Sequence, residues 1–180
     1  MKRFLLPLLP WAFALAAPAQ TFTLHSNDLG GQATLEQVFN GFGCEGRNRS
    51  PQLSWENPPP GTKSFAITLH DPDAPTGSGW WHWVVFDLPA DLRALPADAG
   101  NPARQLMPPG AVQSITDFGA PGYGGPCPPP GHGPHRYILT LHALDTEKLG
   151  LDAMANPALV GFSINQHTLQ RAALLFHYQR

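Results

Sequence analysis

Residues 64–88 read SFAITLHDPDAPTGSGWWHWVVFDL, and this stretch decides the architecture. From Ser64 to His70 the apolar Phe65, Ile67 and Leu69 alternate with smaller or polar residues, the period of a strand. From Trp80 to Leu88 the run is nearly all apolar, which predicts a central strand buried on both faces. Between them lies Asp71-Pro72-Asp73-Ala74-Pro75. Its two prolines fix their own φ and restrict the residues before them, so the loop holds two carboxylates at low entropy cost. Two adjacent strands joined by a stiff acidic loop are the frame on which the rest is placed.

Outward from this pair the signals are further strands separated by turns. Phe22 to Ser26 reads as a strand, followed by turn chemistry at Asn27-Asp28-Leu29-Gly30-Gly31. Gln32 to Phe39 is expected to be extended, Leu53-Ser54-Trp55 a short strand, and Val112 to Thr116 a weaker one. His135 to Leu144 alternates, with Tyr137, Leu139, Leu141 and Ala143 on one face. Phe118 to Pro134 holds six Gly and six Pro in seventeen residues, so it is a long irregular loop, and such loops in compact domains are usually functional. After Asn156-Pro157 the period changes. Ile164, Thr168, Leu169, Ala172 and Ala173 fall at helical spacing, predicting a helix near 158–172 and a last short strand from Leu174 to Tyr178. Short strands with turn signals and one helix predict a mainly β sandwich or barrel with that helix at its periphery.

Composition narrows the function. Of 180 residues 42% are hydrophobic and 13% charged, with 18 Gly and 21 Pro, which fits one loop-rich folded domain over 20–180. The net charge of −2 leaves no basic excess for a phosphate backbone, so nucleic acid is not an expected partner. Residues 1–19 read as a signal peptide: Lys2 and Arg3 precede an apolar run to Ala17, and Ala17-Pro18-Ala19 is a small-x-small cleavage site. That run is too short and too broken by Pro7 and Pro10 to span a bilayer. A periplasmic or secreted location after cleavage near Ala19 is the expectation. Two cysteines, Cys44 and Cys127, lack the CxxC spacing of a redox or zinc site. In an oxidising compartment they read as one disulfide, with two separate buried thiols as the alternative.

The chemistry concentrates in two segments. Asp71 and Asp73 precede Trp80-Trp81-His82-Trp83, where a histidine in so apolar a run must find a partner or be placed for use. Gly124-Gly125-Pro126-Cys127 precedes His132 and His135-Arg136-Tyr137. Adjacent glycines let backbone N–H groups converge on an anion, and His, Arg and Tyr add donors.

These residues carry a resemblance. Gly43-Cys44-Glu45-Gly46-Arg47-Asn48-Arg49-Ser50-Pro51, Leu53-Ser54-Trp55, Pro60-Gly61-Thr62-Lys63-Ser64, Asp71-Pro72-Asp73-Ala74-Pro75, Trp80-Trp81-His82-Trp83, and Gly122-Tyr123-Gly124-Gly125-Pro126-Cys127-Pro128-Pro129 with His135-Arg136-Tyr137 run in order. Across about residues 22–145 the chain resembles the phosphatidylethanolamine-binding proteins, most closely their bacterial Raf-kinase-inhibitor-like branch. Phe86-Asp87 departs from the family's more usual Val-Asn. The resemblance implies a two-sheet, mostly antiparallel β-sandwich with a C-terminal helix and long Gly/Pro-rich loops. It also implies a small pocket for anions such as phosphate, with Asp71 and His82 as its central pair. Asp73, Trp80, Trp81, Gly125, His135 and Tyr137 would surround them. It suggests the Cys44–Cys127 disulfide and a cis Ala74-Pro75 bond.

Within that pocket His82, the Gly125 amide and the Tyr137 hydroxyl can donate to an anion, while Asp71 can orient His82 or accept from a ligand ammonium. Arg136 is expected to point away, since His135 and Tyr137 share the other strand face. The leading expectation is a non-enzymatic binding, inhibitor or regulatory protein. Its partners would be a small anionic ligand or phospholipid head group, a protein partner, or a second copy of itself as a homodimer. A hydrolase using Asp71 and His82 is the alternative, though no G-x-S-x-G occurs. A His/carboxylate metal protein is the third reading, though no HExxH occurs. No cofactor and no metal site are expected.

Overall fold

The computed structural model describes residues 20–180; the expected signal peptide at 1–19 lies outside the described residues. Among the described residues eight strands and one α-helix follow in the order β1 (Thr23–His25), β2 (Leu53–Glu56), β3 (Ser64–Asp71), β4 (Trp80–Pro89), β5 (Ala94–Leu95), β6 (Val112–Gln113), β7 (His135–Leu144), α1 (Pro157–His167) and β8 (Thr168–Tyr178). They form two antiparallel sheets, one ordered β1-β2-β5 and the other β6-β4-β3-β7-β8. Among the described residues no helix is long and apolar enough to cross a membrane.

The apolar run of β4 has the expected cause: both of its faces are covered. Trp83 and Val85 join Phe65, Ile67 and Leu69 of β3, Leu139 and Leu141 of β7, and Leu53 and Trp55 of β2 in the core between the sheets. Val84 and Phe86 point the other way. With Ala66 and Leu144 they form a second cluster, closed by Val160 and Ile164 of α1. Each such side chain removed from water contributes about 1.5–3 kcal/mol. The helix begins where the sequence signals it, with Asn156 Oδ1 accepting from the Leu159 N–H at 2.9 Å and Pro157 in the first turn.

The structure corrects the chain's last third. The helix ends at His167, and the residues expected to continue it to 172 are strand from Thr168 onward. Their helical spacing is real but local. The segment instead pairs with the whole of β7, from Leu144 opposite Thr168 to His135 opposite Tyr178, and buries Ala172 and Phe176. Thr168 Oγ1 donates to the Ile164 carbonyl at 2.7 Å, the acceptor that another helical turn would have used. A second correction concerns 32–39. Only Gln32 bridges a strand; from Thr34 the chain turns, because the Gln37 amide oxygen accepts from both the Thr34 N–H and its hydroxyl at 3.0 Å. The strand expected over 112–116 is confined to Val112–Gln113.

Candidate functional site

Three strands end at the same place. The C-terminal end of β3 delivers Asp71, the start of β4 delivers Trp80 and His82, and the start of β7 delivers His135 and Tyr137. These five line a cavity of about 210 Å³, closed by Ala74, Pro75 and Thr76 of the acidic loop, by Phe118, Cys127, Pro128 and Pro129 of the Gly/Pro-rich loop, and by Phe42. Phe42 is 66% exposed and stacks on Phe118, centroid to centroid 5.8 Å. Phe118 also meets the rings of Trp80 at 5.5 Å and His82 at 5.4 Å.

The polar groups are wired differently from the sequence expectation. Asp71 is buried, and its Oδ2 lies 2.8 Å from Nδ1 of His135 rather than on His82. Its Oδ1 accepts the Asp73 N–H at 2.8 Å, closing an Asx-type turn over Pro72. That turn is made with trans bonds, since no described peptide bond is cis; the expected cis Ala74-Pro75 bond is therefore corrected. His135 Nε2 lies 3.3 Å from Nδ1 of the exposed His132.

His82 instead donates from Nδ1 to the Gly124 carbonyl at 2.7 Å, and the Gly124 N–H returns a bond to the His82 carbonyl at 2.8 Å. Its Nε2 is buried and has no hydrogen-bond partner among the described residues. The Tyr137 hydroxyl, on a ring 5.2 Å from that of His82, is buried and unpartnered in the same way. Burial pushes the His82 imidazole down to about 4, with the Gly124 hydrogen bond and the Asp71 charge opposing it only in part. Burial and the nearby Asp71 charge raise the Tyr137 phenol, which stays protonated.

Three expected site residues stand outside the cavity. Asp73 is at the rim, where it accepts from Arg136 through Nε at 2.9 Å, Nη2 at 2.7 Å and the backbone N–H at 2.8 Å. The guanidinium holds its carboxyl well below the usual range. Arg136 thus points away from the cavity, as the alternation of β7 predicted. Trp81 follows the same alternation on β4 and lies against His70 at 4.2 Å and the second core cluster. Gly125 spends its N–H on Asn48 Oδ1 at 2.8 Å, so that amide is not free for an anion. What position 125 requires is the absence of a side chain: a Cβ there would lie 1.9 Å from the Gln37 carbonyl oxygen.

Phe42, Asn48, Phe118 and the Gly124 carbonyl are the participants that sequence reasoning missed. Asn48 sits inside a quoted motif, and Phe118 opens the Gly/Pro-rich loop, but nothing local says which wall either builds. Asp87, at the departure from the family pattern, is not among the cavity residues; it holds the left-handed φ of 59° that Asp and Asn tolerate.

A disulfide joins Cys44 to Cys127 across 83 residues of chain, tying the Phe42 segment to the Gly/Pro-rich loop. Arg180 adds bonds to the carbonyls of Pro128 at 2.7 Å and Gly43 at 2.9 Å. Among the described residues no three His, Cys, Asp or Glu side chains converge as a metal cluster.

Comparison with known proteins bears on the family and the fold. The family model described as phosphatidylethanolamine-binding protein matches residues 25–179. The UPF0098 protein YbcL of Escherichia coli (strain K12) is 46% identical over 99% of both chains. YbhB of the same organism is 52% identical over 84% of this chain and 96% of its own. The crystal structure of E. coli YbcL superposes with a TM-score of 0.86 at 49% identity, covering 88% of this chain and 98% of that one. A homologue from Chlamydia trachomatis gives 0.73 at 27% identity, covering 88% and 97%.

Proposed function

Since the chain belongs to the phosphatidylethanolamine-binding protein family, we propose that it is a non-enzymatic binding or regulatory protein whose cavity takes a phosphate or phospho-head-group. One observation carries this reading. Two buried polar atoms, His82 Nε2 and Tyr137 Oη, have no hydrogen-bond partner among the described residues, and their rings meet edge-on at 5.2 Å in the wall of a mostly apolar cavity. Leaving such a group unmade costs about 1–3 kcal/mol, so a fold that keeps two together has a use for them. At about 210 Å³ the space is smaller than the roughly 300–1,000 Å³ of a drug-sized ligand site, which favours a head group over a whole lipid. A zwitterionic phosphoethanolamine would place its phosphate on this pair and its ammonium toward Asp71.

The wiring argues against the hydrolytic reading. The Asp71–His135 pair turns its second imidazole nitrogen to His132, not to a hydroxyl or thiol, so a nucleophile is not on its base. The disulfide and the signal-like residues 1–19 support work in an exported compartment. Calorimetric titration with inorganic phosphate and with phosphoethanolamine tests the function. Binding by the wild type, weakened about 10- to 100-fold in His82→Ala, is the expected result. No heat at millimolar ligand, or equal affinity in the variant, would overturn it.

A further inference from the structure

We propose that the cavity accepts its oxyanion only in a protonated form, the ligand's own hydroxyl donating to His82 Nε2. The inference rests on the phosphate reading above and deepens it by naming the ligand's protonation state. A neutral imidazole has one donor and one acceptor nitrogen. Here the donor is already assigned, because Nδ1 faces the Gly124 carbonyl at 2.7 Å, a group that can only accept. The return bond from the Gly124 N–H to the His82 carbonyl fixes loop and strand in that register. What remains for the ligand is the Nε2 lone pair, and a bare oxyanion offers it only further lone pairs.

The surroundings do not reverse this. The titratable groups facing His82 are Asp71 and His70 from β3 and His135 and Tyr137 from β7; the Gly/Pro-rich loop contributes the Phe118 ring and the Gly124 and Gly125 backbone. Asp71 brings a carboxylate, His70 donates from Nε2 to the Ser78 carbonyl at 3.0 Å, and His135 is held between Asp71 and His132. The Arg136 guanidinium, between His135 and Tyr137 on β7, is engaged by Asp73 outside the cavity. Burial keeps the imidazole uncharged through the neutral range. The proton between ring and ligand must therefore arrive with the ligand. The Tyr137 hydroxyl then donates to a second oxygen. A phosphate monoester, whose second proton leaves near pH 6, can supply that proton, as can inorganic phosphate. Sulfate cannot near neutrality.

The test compares sodium phosphate with sodium sulfate by calorimetry at matched ionic strength, at pH 6 and pH 8, on the wild type. Phosphate should bind at least 10-fold more tightly than sulfate at pH 6, and should itself weaken by about 5- to 15-fold at pH 8. His82→Gln, whose amide can donate to a bare anion, should lose most of that discrimination. Nitrogen-15 shifts of the His82 ring should show the Nδ1–H tautomer both free and with phosphate. Sulfate binding as tightly as phosphate, or phosphate tightening at pH 8, would overturn the inference and leave the anion pocket standing. A ring that becomes doubly protonated on binding would overturn it too, since the histidine would then carry the proton. Failure of the wild type to bind either ion would remove both readings together.

Discussion

Replacing Tyr137 by Phe takes one oxygen out of the cavity wall and should move stability and binding in opposite directions. The ring itself is held by packing: it stacks on Phe176 with centroids 5.4 Å apart and meets His82 edge-on at 5.2 Å, and Phe keeps both contacts. The hydroxyl has no partner among the described residues. Removing a buried unsatisfied group returns its desolvation cost, about 1–3 kcal/mol, without opening a void. The ligand-free variant should therefore be more stable by about 1–2 kcal/mol, and each kcal/mol should raise Tm by about 2–4 °C at this chain length. Urea unfolding at pH 7 should show a higher midpoint with an unchanged slope. Phosphate affinity should fall about 10-fold, the scale of one hydrogen bond to a charged group. A variant less stable than the wild type by 1 kcal/mol or more would refute the reasoning, since the hydroxyl would then have had a partner to lose. Unchanged phosphate affinity would refute its role in the cavity.

Three other outcomes follow from the same geometry. Replacing Cys44 and Cys127 together by Ala should cost about 2–4 kcal/mol, against a chain-entropy bound of about 4.5 kcal/mol for the 83-residue separation; equal urea midpoints for variant and wild type would contradict this. Acid should destabilise the fold through its buried imidazoles. His82 and His142 both sit near 4 in the folded state against 6.5 when exposed, so the unfolded chain binds more protons between those values. Their contribution is full above pH 6.5 and falls by of the order of 3 kcal/mol each as pH drops to 4. Constant stability from pH 7 to 4.5 would show that these rings are not buried neutral. Gly125→Ala should cost about 3 kcal/mol, because backbone atoms of Gln37 and Phe39 at 1.9 and 2.7 Å must shift to admit the methyl group; urea unfolding within 0.5 kcal/mol of wild type would show a looser loop.

What the sequence disclosed depended on how local each determinant was. The β3–β4 pair could be read because apolar period and a proline-stiffened turn lie within 25 residues, and alternation alone sent Tyr137 inward and Arg136 outward. Residues 168–173 could not, because they satisfy a helical period and become strand only through pairing with β7, more than twenty residues away. The family resemblance, rather than any local pattern, implied a common site for Asp71, Trp80, His82, His135 and Tyr137, which stand at strand ends around one cavity. Their partners were not. Nothing in the order of residues says that Asp71 reaches His135 rather than His82, or that Gly125 gives its N–H to Asn48; both bonds close across more than sixty residues.

The Gly/Pro-rich loop is anchored at several points: the disulfide, the Asn48 amide, the reciprocal Gly124–His82 bonds and the Arg180 guanidinium. A segment whose composition would leave it mobile in isolation is therefore ordered before any ligand arrives. Its conformational entropy is lost during folding, and binding has little left to arrange. Association should then proceed as a single step governed by diffusion and by passage around the exposed Phe42, without a slow closing phase. Complex lifetime, more than encounter rate, becomes the quantity that distinguishes one head group from another.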